Sequence, residues 1–429
     1  ENYLNYGSLR HDVVTDRLQI RMADSLSAPH NTTSVIGDPA EDGSAYSLEF
    51  KDKEVWRNLT DKDINTMVCN CVDETQVNVS ASEMWTALQS DRVPSVHPLR
   101  AWLNQLPEYT PEQPDWIDFV AQQVNVLGNQ QDNLYWRTCF KKWFVAMVAS
   151  WMNDDVVNHT VLVLIGRQGI FKTTWLDHLI PPELRPYSNK LPLSGQITKD
   201  DRLRLCENGL LNIDELDAIG GREMNIVKSL LTSTEVTERA AYGRIKERRV
   251  RLASFCASTN NREFITDITG NRRFWPVRVS GHSKYKPWEL KDVDQVWAEA
   301  IEYYRNGEQL FLKDDIAIEA YNQQREAMET DDREGIVDEY LNRLLPADWD
   351  TYDLFQRRAF LNGSDFGELK AEGTVKRTRV CAMEVWCECF GKPRESLKKA
   401  DSYEIESILF KLGGWKRYSD NATGKIAHT

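Results

Sequence analysis

The chain has 429 residues, of which 41% are hydrophobic, so it can form sizeable cores and is not a wholly disordered protein. Its 53 basic and 66 acidic residues give a net charge of −13, which excludes a generally basic protein that coats nucleic acid. Binding to DNA or RNA would therefore need a local basic patch on an acidic body.

The longest mainly apolar run, Trp143 to Met152, has only ten residues. A membrane-spanning helix needs about 20, so this run predicts a buried core helix. No basic-then-apolar leader opens the sequence either. We therefore expect no membrane partner and a cytoplasmic location.

The eight cysteines are too few for a disulfide scaffold in a chain of this length. Cys69 with Cys71, and Cys387 with Cys389, could each be half of a zinc site. Neither pair is followed by a second ligand pair at zinc-ribbon spacing, which favours reduced cysteines in the core.

Residues 1–125 are predicted to form a mixed, mainly helical accessory region. We expect a strand over 13–22 and helices over 61–71, 80–90, 99–105 and 115–127, followed by a core helix over 134–152. Ser80 followed by Glu83 is typical of a capping box that starts a helix.

The pattern changes in residues 126–330, which we predict to form one domain. Short apolar strands are expected over 161–165, 210–213, 252–257 and 274–279. Helices are expected between and after them, over 173–179, 225–231, 296–304 and 314–328. Buried strands that alternate with helices predict a three-layer α/β domain.

Residues 336–429, after a charged linker, are predicted to form a small C-terminal helical domain. Helices are expected over 336–345, 382–390 and 403–412. A basic hairpin after Gly413 would make this domain similar to a winged helix.

The loop after the first buried strand carries a phosphate-binding motif. Gly166 to Thr173 follows G-x-x-x-x-G-K-[ST], except that Phe171 replaces the last glycine. Glycines let backbone N–H groups wrap phosphate oxygens, and a helix start attracts them. The predicted nucleotide-binding residues of this segment are Gly166, Gln168, Gly169, Lys172, Thr173 and Thr174. An ordinary strand–loop–helix turn is the alternative.

The second strand, residues 210–213, ends in Asp214 and Glu215. After a phosphate loop, this pattern predicts that Asp214 and Thr173 hold Mg²⁺ and that Glu215 polarises the attacking water. A strand that leaves the core through acidic residues would look the same.

Two later segments complete the predicted catalytic set. Asn260 follows the third strand and would position water near the γ-phosphate, although Ser-Thr-Asn can also be an ordinary turn. Arg272 and Arg273 precede the fourth strand, and one of them would neutralise charge on a neighbouring subunit's phosphate. A surface ion pair is the alternative for these arginines.

A basic segment lies between the second and third strands. Residues 239–251 contain six basic residues and one acid, a local charge of +5. We predict a hairpin whose Tyr242, Arg244, Lys246 and Arg248 contact a phosphate backbone. A solvated hairpin or an intersubunit contact is the alternative.

Taken in order, these segments resemble the core of superfamily 3 helicases. More narrowly, they resemble the virulence-associated protein E family of phage, plasmid and pathogenicity-island replication proteins. The resemblance rests on GRQGIFKTT (166–174), LLNIDEL (210–216), VKSLLTSTEVTERAAYGRIKERRVR (227–251), ASTNN (257–261) and DITGNRRFWPV (267–277).

The resemblance implies an AAA+-like P-loop ATPase that uses ATP and Mg²⁺, forms a ring, expected to be a hexamer, and moves along single- or double-stranded DNA. It implies that Lys172, Thr173, Asp214 and Glu215 contact the nucleotide, Asn260 is a sensor and Arg272 or Arg273 is an arginine finger. Lys228 matches a basic residue of the family, and a primase is a further expected partner. A weakly hydrolysing initiator or scaffold, and a P-loop phosphotransferase, are the alternatives.

Overall fold

The computed structural model describes residues 8–21, 56–191, 197–214, 216, 221–239, 246–265, 270–282, 293–328, 331–363, 372–415, 417–419 and 426–428. In these ranges the helices are α1 (Asp61–Thr75), α2 (Ala81–Leu88), α3 (Pro98–Leu103), α4 (Trp116–Ala121), α5 (Gln130–Met152), α6 (Lys172–Asp177), α7 (Lys199–Glu207), α8 (Gly221–Thr232), α9 (Val293–Arg305), α10 (Asp314–Glu326), α11 (Glu334–Asn342), α12 (Leu354–Leu361), α13 (Ala382–Glu384) and α14 (Lys399–Leu412). The strands are β1 (Leu9–Asp12), β2 (Arg17–Arg21), β3 (Trp56–Asn58), β4 (Ser95–Val96), β5 (Val124–Val126), β6 (Val161–Ile165), β7 (Ser188–Lys190), β8 (Leu210–Ile213), β9 (Glu235–Arg239), β10 (Lys246–Val250), β11 (Ser254–Thr259), β12 (Phe274–His282), β13 (Arg417–Ser419) and β14 (Ile426–His428).

The described part of residues 1–125 contains four helices, α1 to α4, and a four-stranded sheet in the order β3-β2-β1-β4. The strand predicted over 13–22 is confirmed in its second half, as β2, and is wrong in its first half. The chain reverses there at Asp16, which has a left-handed φ of 55°, and β1 pairs antiparallel with β2. The predicted capping box is confirmed. The Glu83 N–H donates to Ser80 Oγ over 3.2 Å, and the Ser80 N–H donates to Glu83 Oε2 over 2.8 Å.

The predicted helix over 115–127 is also wrong in its second half. Helix α4 ends at Ala121, and β5 adds to the central sheet antiparallel to β12. The indole N–H of Trp136 donates to the Ala121 carbonyl over 2.9 Å, which satisfies a group that the helix end leaves open. In the next segment, β5, the backbone groups pair with β12 instead of forming a further helical turn.

The central sheet has six strands in the order β5-β12-β6-β11-β8-β7. Strands β12, β6, β11, β8 and β7 are parallel to one another. The strand that carries the Asn260 tip, β11, therefore lies between β6 and β8. All three carboxyl ends meet at one edge of the sheet, where ligands of open α/β sheets commonly bind.

Helices cover both faces of this sheet, as the continuous apolar strands predict. Leu162 and Leu164 of β6 belong to the core with α5, α6 and α9. The alternate residues Val161 and Val163 belong to the core with α7 and α8. The predicted three-layer α/β arrangement is therefore confirmed for the described part of this domain.

The C-terminal segment has its own core, formed by residues of α11, of the turn Val385–Cys389 and of α14. Helix α13 continues as a π-helical turn, Val385–Cys389. Strands β13 and β14 pair as an antiparallel hairpin after α14. Helices and a terminal hairpin are therefore present, and the winged-helix assignment stays a prediction.

All eight cysteines are free thiols. Cys139, Cys206, Cys256 and Cys387 are buried as expected, whereas Cys69 is exposed. In the described residues, no group of three or more His, Cys, Asp or Glu side chains could hold a metal ion. No helix among them is long and apolar enough to cross a membrane.

Candidate functional site

The loop after β6 needs glycine for two different reasons. A Cβ on Gly166 would lie 2.5 Å from the Val279 carbonyl oxygen, so only glycine fits beside β12. Gly169 has a φ of +84°, which a residue with a side chain rarely adopts. Gln168 and Gly169 are exposed at the open side of the loop.

Phe171 has a backbone conformation that glycine adopts more readily than other residues. Its φ is 61° and its ψ is 26°, in the left-handed region. For a residue with a Cβ this conformation costs about 1–2 kcal/mol. The phenyl ring is 54% exposed, and the Phe171 carbonyl accepts the Trp175 N–H over 2.9 Å at the start of α6.

Lys172 points into the loop rather than into solvent. Its ammonium group donates to the carbonyls of Gly166 and Arg167 over 2.8 and 2.9 Å. It also donates to Asn260 Oδ1 over 3.0 Å, so the predicted loop cation and the predicted sensor are in direct contact. The residue is only 6% exposed, which makes these bonds necessary for a buried charge.

Thr173, Asp214 and Ser258 form a small oxygen cluster beside Lys172. Thr173 Oγ1 donates to Asp214 Oδ1 over 2.9 Å and lies 2.8 Å from Ser258 Oγ. Ser258 Oγ also donates to Asp214 Oδ1, over 3.2 Å. Ser258 lies on β11 and Asn260 directly follows that strand, so the position of β11 between β6 and β8 brings both residues into the site.

Lys190 is a site residue that the sequence analysis did not identify. It ends the edge strand β7, and its Nζ lies 2.6 Å from Asp214 Oδ2. Partial burial raises the pKa of Asp214, but the hydrogen bonds from Lys190, Thr173 and Ser258 outweigh burial and hold it below its ordinary value. Asp214 is therefore ionised at neutral pH.

The donor set fits a magnesium nucleotide. One carboxylate and two hydroxyls are the hard oxygen ligands that Mg²⁺ prefers. The Lys172 ammonium and the glycine-containing loop are suited to phosphate oxygens. Thr174 lies half-buried in the first turn of α6. Glu215 lies outside the described residues, so its predicted role stays a prediction.

Asp177 and Asn212 anchor α6 to β8 beneath the oxygen cluster. Asn212 Nδ2 donates to Asp177 Oδ1 over 2.7 Å. Burial raises the pKa of Asp177, and the nearby Asp214 adds to that rise. This bond fixes the helix that carries Thr173 relative to the strand that leads to Asp214.

Arg272 and Arg273 lie at the amino ends of the parallel strands, opposite to the carboxyl ends that carry the Lys172 cluster. They form a short 3₁₀ turn before β12, and Phe274 pairs with Val161 at the start of β6. The phosphate loop begins at the other end of β6, about 13 Å away at ~3.3 Å per residue. The two arginines are therefore far from the Lys172 cluster of their own chain.

A cavity of about 530 Å³ opens at this end of the sheet, and both arginines line it together with Trp275 and Tyr321. Arg272 is exposed and Arg273 is half-buried. Burial, and then the charge of Arg272, lowers the pKa of Arg273. In the described part of the chain, no carboxylate forms an ion pair with either guanidinium group.

Lys228 lies beside these arginines rather than beside the phosphate loop. A Cβ on Gly270 would meet Arg273 Nη1 at 2.7 Å and Lys228 Cδ at 3.6 Å, so both basic side chains flank that glycine. Lys228 is 8% exposed. Because Gly270 has no side chain, Arg273 and Lys228 can both lie against it.

The predicted basic hairpin is present, as β9 paired antiparallel with β10. Its tip, with Tyr242 and Arg244, and the side chain of Lys246 lie outside what the structure describes. Arg248 pairs with Glu235 across the hairpin, and its side chain is 74% exposed. Contact of these residues with a phosphate backbone stays a prediction.

The local charge of +5 overstates what this hairpin can offer to a ligand. Arg251 is fully buried and donates to backbone carbonyls, among them Leu231 over 2.7 Å and Ala253 over 3.1 Å. Arg249 donates to the Val14 carbonyl over 2.6 Å and pairs with Glu207. Two of the six basic residues therefore hold the fold together instead of facing solvent.

Comparisons with solved structures give distant likenesses. One is described as "The A form apo structure of NrS-1 C terminal region-CTR(305-718)", with 10% identity, a TM-score of 0.43 and coverage of 98% of this chain and 96% of that one. Another is "The apo structure of NrS-1 C terminal region (305-718)", with 11% identity, a TM-score of 0.43 and coverage of 98% and 94%. With TM-scores below 0.5, neither supports a statement about function.

No curated protein sequence matches this chain. A family model matches it over residues 110–329, which is slightly more than half of its length, and it is the model of the virulence-associated protein E-like domain. The matched range contains the phosphate loop, Asp214, Asn260, the basic hairpin and both arginines. The chain therefore belongs to the virulence-associated protein E-like domain family.

Proposed function

We propose that this protein is a ring-forming, ATP-dependent DNA helicase that serves the replication of a mobile genetic element. The observation that carries the proposal is the meeting of Lys172, Thr173, Asp214 and Asn260 at the carboxyl ends of three adjacent parallel strands. Family membership supports the same interpretation.

In this proposal the Lys172 ammonium exchanges the carbonyls of Gly166 and Arg167 for phosphate oxygens of ATP. The Lys172 ammonium keeps its hydrogen bonds in this exchange, because charge-assisted bonds to phosphate oxygens replace those to the carbonyls. Thr173 and Asp214 would hold Mg²⁺, and the ion would supply positive charge to neutralise the phosphates. Asn260 releases its bond to Lys172 and becomes available to orient the water that Glu215 polarises.

The site would be completed by a second copy of the chain. Arg272 and Arg273 lie at the end of the sheet opposite to the Lys172 cluster, which supports action on a neighbour's phosphate. Contacts between opposite ends of identical subunits are head-to-tail, and such contacts form a ring when the rotation from one subunit to the next closes. We therefore propose a homo-oligomeric ring, with a hexamer as the expected size, in which hydrolysis depends on assembly.

DNA would be held by the hairpin of β9 and β10, through Tyr242, Arg244, Lys246 and Arg248. Replacing both Arg244 and Lys246 with alanine should weaken DNA binding and reduce its salt slope by about 1 for each phosphate that the side chains no longer neutralise. Lys62→Ala, at an exposed position of α1, is the matched control. Unchanged affinity of the double variant at every salt concentration would remove the hairpin from the proposal.

The direct test is DNA-stimulated ATP hydrolysis by Lys172→Ala. Loss of the cation that contacts both the loop and Asn260 should lower turnover about a hundredfold or more. Lys62→Ala should hydrolyse like the wild type, and circular dichroism should show that both variants fold. Equal turnover by Lys172→Ala and the wild type would defeat the nucleotide assignment.

A second candidate is a nucleotide-gated replication initiator or scaffold that hydrolyses little. The left-handed conformation of Phe171 favours it, because a side chain at this loop position is strained where glycine would not be. Strand displacement on a forked DNA duplex separates the two candidates. The helicase proposal expects ATP-dependent displacement, and the initiator expects nucleotide binding without it.

A further inference from the structure

Lys190 places its ammonium group on the outer carboxylate oxygen of Asp214. It pairs in register with Asn212 of β8, two residues before Asp214. Its Nζ lies 2.6 Å from Asp214 Oδ2, while Oδ1 accepts bonds from Thr173 and Ser258. Hydrogen donors therefore cover both oxygens of the carboxylate that the proposed function assigns to Mg²⁺.

These donors behave differently when a divalent cation approaches. A hydroxyl has lone pairs as well as a proton, so Thr173 and Ser258 can turn and face the cation. An ammonium group has three N–H donors and no acceptor, and its positive charge repels a divalent cation at short range. Thr173 and Ser258 can stay in the loaded site, whereas Lys190 has to move away.

The position of Lys190 makes this movement easy. It lies on β7, at the outer edge of the sheet, and its side chain is 58% exposed. Lysine has a flexible four-carbon stem and a strongly hydrated head group. An exposed ion pair of this kind contributes little to stability, so its loss does not threaten the fold.

We propose that Lys190 competes with the divalent cation for Asp214. In the nucleotide-free site it balances the charge of the carboxylate, and it thereby raises the cation concentration at which the site loads. The inference rests on the proposed function only in taking Asp214 as a cation ligand. Lys190 is thus a positioning residue that acts through Asp214.

The test is to measure Mn²⁺ binding to nucleotide-free protein from the electron paramagnetic resonance signal of the Mn²⁺ that stays unbound. Lys190→Met keeps the length of the side chain and removes its charge, and it should lower the Kd for Mn²⁺ about tenfold. Lys190→Arg keeps the charge and should bind like the wild type. Lys62→Met controls for the loss of a positive charge elsewhere on the chain.

Asp214→Asn separates failure of the inference from failure of the proposed function. If this variant loses Mn²⁺ binding and Lys190→Met binds more tightly, the competition is supported. If it loses binding and Lys190→Met binds like the wild type or more weakly, the competition is overturned while Asp214 remains a cation ligand. If Asp214→Asn binds Mn²⁺ like the wild type, the metal assignment fails and the inference fails with it.

Discussion

Thr173 Oγ1 donates a hydrogen bond to Asp214 Oδ1 over 2.9 Å, although 41 residues separate them in the chain. Thr173 lies in the first turn of the helix after β6, and Asp214 follows β8. Strand β11 lies between those strands and inserts Ser258 against both groups. The bond therefore fixes the geometry of the oxygen cluster before any ligand arrives.

Thr173→Ala should weaken Mg²⁺-dependent binding of a non-hydrolysable ATP analogue by about tenfold or more, because it removes one oxygen ligand and leaves Asp214 with one donor fewer. Binding measured with EDTA in place of Mg²⁺ should change much less. Isothermal titration calorimetry gives both affinities.

Thr173→Ser is the matched control, since it keeps the hydroxyl and loses only a methyl group. It should retain most of the magnesium-dependent affinity. Equal losses with and without Mg²⁺ in Thr173→Ala would show that the hydroxyl does not serve the metal.

Arg251 and Arg248 should differ sharply in their effect on stability. Arg251→Met removes a charged donor from several buried carbonyls, including those of Leu231 and Ala253, and should lower the free energy of unfolding by about 3 kcal/mol or more. Arg248→Met removes only an exposed pair with Glu235 and should cost about 1 kcal/mol or less. Urea denaturation followed by circular dichroism measures both values.

Similar stability losses in the two variants would contradict the structural role of Arg251. The same pair also tests the hairpin assignment, because only Arg248 is exposed enough to reach DNA.

Glu299 should make stability depend on pH. It is fully buried, and its Oε2 accepts the Ile117 N–H over 2.8 Å. Burial, and further the charge of Asp115, raises the pKa of Glu299 to about 7. Between about pH 4.5 and 7 the folded state keeps a proton that the unfolded chain releases, so stability falls as the pH rises through this window.

Glu299→Gln imitates the protonated acid and should remove this loss, which amounts to at most about 3 kcal/mol. The Tm of the variant minus that of the wild type should therefore increase from pH 5 to pH 7 and level off above it. A difference that stays constant over this range would show that Glu299 ionises normally in the folded protein.

The sequence predicts the buried strands of the central domain well, because parallel strands covered on both faces are continuous apolar runs. Strands β6 and β8 have the predicted bounds, and the order of motifs along the chain singles out Lys172 and Asn260, which the structure brings into contact. The contact between Thr173 and Asp214 is expected for a similar reason, because each follows a strand whose carboxyl end lies at the same end of the sheet.

Short edge strands escape this kind of reasoning. Strand β7 is three residues, Ser-Asn-Lys, with no apolar pattern, so neither the strand nor the position of Lys190 beside Asp214 could be predicted. Strand β5 lies in a stretch whose apolar spacing also fits a helix, so the strand could not be distinguished from a continuation of α4. Counting charges likewise could not distinguish Arg251, which bonds to buried carbonyls, from Arg248, which is exposed.

The central claim is that one subunit supplies Lys172 and the next supplies Arg272 or Arg273 to a shared site. ATP hydrolysis should therefore be measured for Lys172→Ala, for the double variant Arg272→Ala with Arg273→Ala, and for their equal mixture on DNA. Each variant alone should be nearly inactive, while random assembly of the mixture should restore about a quarter of the interfaces. Hydrolysis by the mixture that does not exceed the average of the two variants, in particles that have assembled, would contradict the shared site.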